Sequence, residues 1–99
     1  MKRSRDSATL LAAFRNVRIL HYAVANPVSA PWLLEKLRGH ACSLPAPALN
    51  QTLSRMARIG WLRSSPRAPR IYSLTPKGRA ALNVSRTRLN DLARVLHLE

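Results

Sequence analysis

The sequence predicts a mainly helical fold with one small β-hairpin: three helices, a two-stranded hairpin and a fourth helix within 99 residues. Three observations predict it. Apolar residues recur at helical spacing in four stretches that Pro or Gly interrupts. The period changes after Gly60, where two five-residue runs rich in β-forming residues flank Pro66-Arg67-Ala68-Pro69. A hydrophobic fraction of 46% at this length fits one packed domain and is too high for a disordered chain.

The first helix is expected from about Thr9 to Ala25. Leu10, Phe14, Val17, His21 and Val24 fall on one face, and Leu11, Ile19 and Leu20 widen the stripe. Asp6 or Ser7 can cap its start, and Asn26-Pro27 stops it. Residues 1–8 ahead of it, with Lys2, Arg3 and Arg5, read as a basic arm. The second helix is short, about Ala30 to Arg38, with Ser29 as cap, Pro31 in the first turn and Gly39 at its end. Leu33, Leu34 and Leu37 supply its apolar side. After a link from His40 to Pro45, a third helix runs roughly from Ala46 to Ile59. Its core stripe is Leu49, Leu53 and Met56, and Gly60 terminates it. Trp61 to Ser65 and Arg70 to Leu74 form the hairpin. Trp61 and Tyr72 read as core residues, as does Trp32 in the second helix, because no run of alternating aromatic and basic residues marks a single-strand stacking platform. Thr75-Pro76 then starts the fourth helix, a Thr cap with Pro at the first helical position, which extends to about Leu96. Gly78 in its first turn carries a small propensity cost. Leu82, Leu89, Leu92 and Leu96 make a heptad seam, with Ser85 in the missing slot.

Charge narrows the function. Seventeen Lys and Arg face four Asp and Glu, a net charge of +13. Self-repulsion on that scale weakens a compact fold unless a polyanion relieves it, so nucleic acid is the first partner to consider. The four carboxylates are Asp6, Glu35, Asp91 and Glu99. None lies between Glu35 and Asp91, an interval that holds eleven Lys or Arg. A paired-carboxylate acid/base site is therefore not expected, and the three glycines make no phosphate-cradling loop, so no enzyme is expected. One cysteine allows no intrachain disulfide and fits a reducing compartment. The short string His40-Ala41-Cys42 lacks the paired spacing of a zinc site. No metal or other cofactor is expected. The longest uncharged stretch near the start, Ile19 to Leu34, is broken by Asn26, Pro27 and Pro31, so no membrane span is expected.

The third helix carries the most specific signal. At about 100° per residue, the face opposite its core stripe holds Gln51, Ser54 and Arg58, flanked by Asn50 and Arg55. Gln and Asn can bond adenine in two places, and Arg can do the same to guanine. Such a face, with no acid among its residues, suits the major groove of double-stranded DNA. Arg63, Arg67 and Arg70 in the hairpin suit the backbone or an adjacent minor groove. The same charge also permits a sequence-indifferent architectural protein that binds DNA or RNA.

Helix, helix, helix, hairpin is the order of a winged helix-turn-helix domain. The segments from Ala48 to Leu62 and Arg70-Ile71-Tyr72-Ser73-Leu74-Thr75-Pro76-Lys77-Gly78-Arg79-Ala80-Ala81-Leu82 resemble the PadR family of bacterial transcriptional regulators. The resemblance covers about Val17 to Leu82. It implies a winged-helix domain over residues 9–75 and a C-terminal dimerisation helix over 76–99, with Leu82, Leu89, Leu92 and Leu96 at a homodimer interface. It also implies a cytoplasmic, nucleoid-associated repressor whose small-molecule effector, where one exists, binds at that interface. Leu49-Asn50-Gln51 stands where the family usually has Leu-Tyr-Pro, which implies amide contacts and a different base preference. Pro31-Trp32 stands where the family often has Gly-Tyr.

Overall fold

The computed structural model describes residues 2–39 and 44–97. The elements are α1 (Lys2–Ala25), α2 (Ala30–Leu37), α3 (Ala46–Arg58), β1 (Leu62–Ser64), β2 (Tyr72–Leu74) and α4 (Pro76–His97). This is the expected class, a mainly helical winged helix with a two-stranded wing.

α3 forms for the reasons its sequence suggests. Leu49, Leu53 and Met56 are buried on one side. Its end is a Schellman closure: Gly60 N–H donates to the Ala57 carbonyl at 3.2 Å and Trp61 N–H to the Met56 carbonyl at 2.8 Å. That closure needs a left-handed residue, and Gly60 supplies it at φ +92°. α2 starts on Ser29, whose hydroxyl accepts from Trp32 N–H at 3.3 Å. Leu33 and Leu37 bury its inner face.

The wing is antiparallel, with Leu62 opposite Leu74, Arg63 opposite Ser73 and Ser64 opposite Tyr72. Its strands are three residues long rather than five. Beyond them the Ser65 side chain closes the hairpin: its hydroxyl donates to the Arg67 carbonyl at 3.1 Å and accepts from Ile71 N–H at 2.9 Å. A feature without a sequence signal lies on the other edge of β2. Val28, in the α1–α2 connection, exchanges both backbone hydrogen bonds with Tyr72, at 2.9 and 2.7 Å. The wing is thereby bonded to the helical domain through its second strand.

One core joins these pieces: Ile19, Leu20 and Ala23 of α1, Val28, Leu33 and Leu37, the α3 stripe, Leu62, Tyr72 and Leu82 of α4. Each fully buried Leu or Ile contributes about 1.5–3 kcal/mol of apolar burial. Four expectations change here. α1 begins at Lys2, so residues 2–8 continue the helix and are not an arm ahead of a capped start at Thr9. The core takes the Ile19-Leu20-Ala23 side of α1, while Phe14, His21 and Val24 face outward. A helix with apolar residues on two sides can bury only one of them in its own domain. Trp32 is 42% exposed, because Leu33 and Leu37 already fill the space under α2. Leu82 is 1% exposed within the protomer's own core, so it cannot belong to a seam with a partner. Leu89, one heptad on, is half-buried, and the side chains of Leu92 and Leu96 lie outside the described residues.

α4 starts on Thr75. Its hydroxyl accepts from Gly78 N–H at 2.9 Å and lies within hydrogen-bonding distance of the Gly60 and Trp61 carbonyls. Thr75 N–H donates to the Trp61 carbonyl at 3.1 Å. Gly78 is buried there, and a Cβ on it would land on the Trp61 carbonyl and crowd Leu74. The glycine is thus a packing requirement beyond its small helix cost. Gly78→Ala should lower stability by about 1–3 kcal/mol in urea unfolding. Stability equal to wild type would mean that α4 can lift away from the α3–β1 joint at no cost.

Candidate nucleic-acid interface

α3 presents its polar face because its opposite face is fixed in the core. Asn50, Gln51, Ser54, Arg55 and Arg58 are all exposed, and together they line one shallow depression of about 470 Å³. All five residues singled out from the sequence meet at this one surface. Their chemistry is two amides, a hydroxyl and two guanidiniums, a set able to bond base edges and phosphates.

The wing arginines do not lie on one side of the hairpin. Side chains alternate across a strand. Leu62 faces the core, Arg63 is exposed and points to the other face, and Ser64 returns to the inner side. Arg70 has the parity of Tyr72 and so shares the side that faces α3. It joins Ser54, Ala57, Arg58, Ser64 and Tyr72 around a second depression of about 430 Å³ between α3 and the wing. Arg63 lies on the opposite face of the hairpin, and Arg67 is exposed at its tip. Ser64 had not been singled out from the sequence. Its parity with Leu62, opposite Tyr72, is the signal that could have found it.

No carboxylate lines either depression. The ion pairs among the described residues are Arg38–Glu35 at 3.3 Å and Arg94–Asp91 at 4.0 Å, each between exposed neighbours on one helical turn. Both spend their acids away from α3 and the wing. Among the described residues no carboxylate pairs with the arginines of this surface, which is how a surface that recruits an anion is built.

A separate cleft of about 530 Å³ lies between α1, α2, their connection and Ile71 just ahead of β2, with Tyr22, Val28, Trp32 and Lys36 among its other walls. Tyr22 meets Trp32 edge-on with centroids 5.3 Å apart, and the Lys36 ammonium stands 5.3 Å from the Trp32 ring. It is formed within one protomer. Among the described residues no group of three or more His, Cys, Asp or Glu could hold a metal, while His40 and Cys42 lie outside them. No described helix is long and apolar enough to cross a membrane.

No family model matches the chain. It is 40% identical over 83 residues to transcriptional regulator Rv3488 of Mycobacterium tuberculosis (strain ATCC 25618 / H37Rv), across 79% of this chain and 78% of the relative. Among solved structures it is similar to a PadR family transcription regulator from hypervirulent Clostridium difficile R20291. That likeness has a TM-score of 0.75 and 14% identity, over 86% of this chain and 96% of the other. At that identity it shows a shared fold.

Proposed function

The chain belongs to the PadR-like family of winged-helix transcriptional regulators, and on that premise we propose that it is a sequence-specific repressor that binds double-stranded DNA as a homodimer. The observation that carries this reading is the exposed α3 face, where two amides and two arginines converge with no carboxylate beside them. α3 enters the major groove, and Gln51, Ser54 and Arg55, with Asn50 at the edge, meet base edges and adjacent phosphates. Arg67 at the wing tip holds the backbone or the neighbouring minor groove, and Arg63 reaches only what lies on the far side of the wing.

Dimerisation rests on apolar surface the protomer leaves uncovered. Phe14 and Val24 of α1 are 40% and 38% exposed, and Val84 of α4 is 52% exposed. α1 packs along α4, where Arg86 donates to His21 Nδ1 at 2.6 Å. A second copy on this surface, reaching Leu89, presents two α3 helices to successive major grooves of a roughly palindromic site about 34 Å apart. The protein acts in the cytoplasm at the nucleoid, and any effector acts at the subunit interface.

Selection from random duplex DNA at physiological salt, with RNA as competitor, should recover a two-fold-symmetric motif. DNA and RNA bound alike with no motif would leave a sequence-indifferent coat protein instead. Gln51→Ala should relax preference at one base pair of each half-site by about 1–3 kcal/mol; an unchanged motif with weaker binding would confine Gln51 to the backbone. Arg67→Ala should weaken binding to all sequences alike and flatten the slope of log K against log salt by about 0.9 per half-site. An unchanged slope removes the wing tip from the interface. Leu89→Arg should weaken self-association at least tenfold in sedimentation equilibrium, since an unpaired charge buried at an interface costs more than about 1.4 kcal/mol. A wild-type protein that sediments as a monomer would refute the dimer.

A further inference from the structure

The recognition surface divides into two sites of different chemistry, and the division reassigns Arg58. Arg58 is the last residue of α3, seven positions beyond Gln51. At 1.5 Å per residue it lies about 10 Å farther along the helix axis. A recognition helix reads bases with its N-terminal residues, and its far end rises toward the backbone. At that end Arg58 faces Arg70 and Ser64 of the wing across the notch between α3 and the hairpin.

We propose that Arg58 and Arg70, with the Ser64 hydroxyl, hold one phosphodiester of the DNA backbone, and that Arg58 reads no base. The proposal rests on the DNA-binding reading above and assigns this notch within it. Two guanidiniums, one from α3 and one from the hairpin, three hydroxyl-bearing residues (Ser54, Ser64 and Tyr72) and no acid line the notch, and neither arginine is ion-paired among the described residues. Guanidinium forks match phosphate oxygens in a bidentate geometry. Arg55 and Arg58 both lie in the last turn of α3, but only Arg58 lines the notch. The C-terminal end of a helix carries partial negative charge and repels an anion, so one arginine in the notch does little more than offset it. A phosphate settles at this end only when a second cation arrives from elsewhere, and Arg70 supplies it. The phosphate then bridges α3 to the wing and fixes the register in which Asn50, Gln51 and Arg55 meet the bases. Ser54 borders both depressions and marks the boundary between reading and clamping.

The test compares wild type, Arg58→Gln, Arg70→Gln and the double variant, each first shown by circular dichroism and thermal unfolding to be folded. Each is then put through selection from random duplex and a salt titration on the wild-type motif and on a scrambled duplex. The expected result is that the selected motif stays the same in all four and that both duplexes lose affinity together. The slope losses should not add: the double variant loses about 0.9 per half-site in total, because one phosphate is at stake. Two results overturn the proposal while leaving DNA binding intact. One is a changed base preference in Arg58→Gln but not in Arg70→Gln, which makes Arg58 a reader. The other is an additive loss of about 0.9 for each substitution, which puts the two arginines on different phosphates. Wild-type protein that binds no duplex overturns the parent reading itself.

Discussion

The structure depends on one joint, where the end of α3, the start of β1 and the start of α4 are clasped within a few ångströms. Gly60 turns the chain out of α3 in a left-handed conformation that a side chain would strain. The carbonyls of Gly60 and Trp61 then project beyond the helix end. Thr75 takes them up: its hydroxyl approaches both, its N–H donates to Trp61, and the same hydroxyl caps α4 through Gly78 N–H. Orphan groups at the end of one helix and the start of another are satisfied by a single side chain, an economy that works only if Gly78 leaves room for the Trp61 backbone. α3, the wing and α4 are thereby tied together at one point. Val28 secures the wing from its other edge.

Rigidity at this joint explains how so few acids can shape the electrostatics. With four carboxylates against seventeen basic side chains, the protein cannot neutralise itself. The two acids in described ion pairs hold neighbours on their own helices, α2 and α4. Exposed pairs of that kind contribute at most about 1 kcal/mol. The depressions on α3 and beside the wing are thus left with arginines and no carboxylate, and the joint ties those two elements together. The hydrogen bonds of that joint set the width of the notch between Arg58 and Arg70.

Local chemistry was legible in the sequence and tertiary context was not. The core stripe of α3, the Ser29 and Thr75 caps, the Gly39 and Gly60 endings and the hairpin each follow from residues adjacent in the chain, and the polar face of α3 follows from its stripe. The unread features all depend on what else competes for a place. α1 has apolar residues on two sides, and periodicity alone could not say which side the domain buries. Leu82 fits a heptad with Leu89, yet the protomer core claims it first, because α4 begins beside that core and leaves it only further on. Trp32 lost its expected place to Leu33 and Leu37. Val28 joins the sheet from a connection with no strand pattern of its own. Arg63, Arg67 and Arg70 looked equivalent by spacing, and only strand parity separates the one that faces α3.

The two-sided α1 also bears on what the proposed second copy would add to a chain of this size. A single core in 99 residues has limited burial to set against conformational entropy, and the net charge lowers the balance further. The outer side of α1, with Phe14 and Val24 uncovered, is a reserve of apolar area that the protomer cannot use. In the proposed dimer that reserve becomes core. The same surface then sets the distance between the two α3 helices, since α1 and α4 pack together and α4 is fixed to α3 through Thr75. Stability and the spacing of recognition helices would thus rest on the same side chains, and the dimer interface would become the place where a small displacement could change the match to DNA.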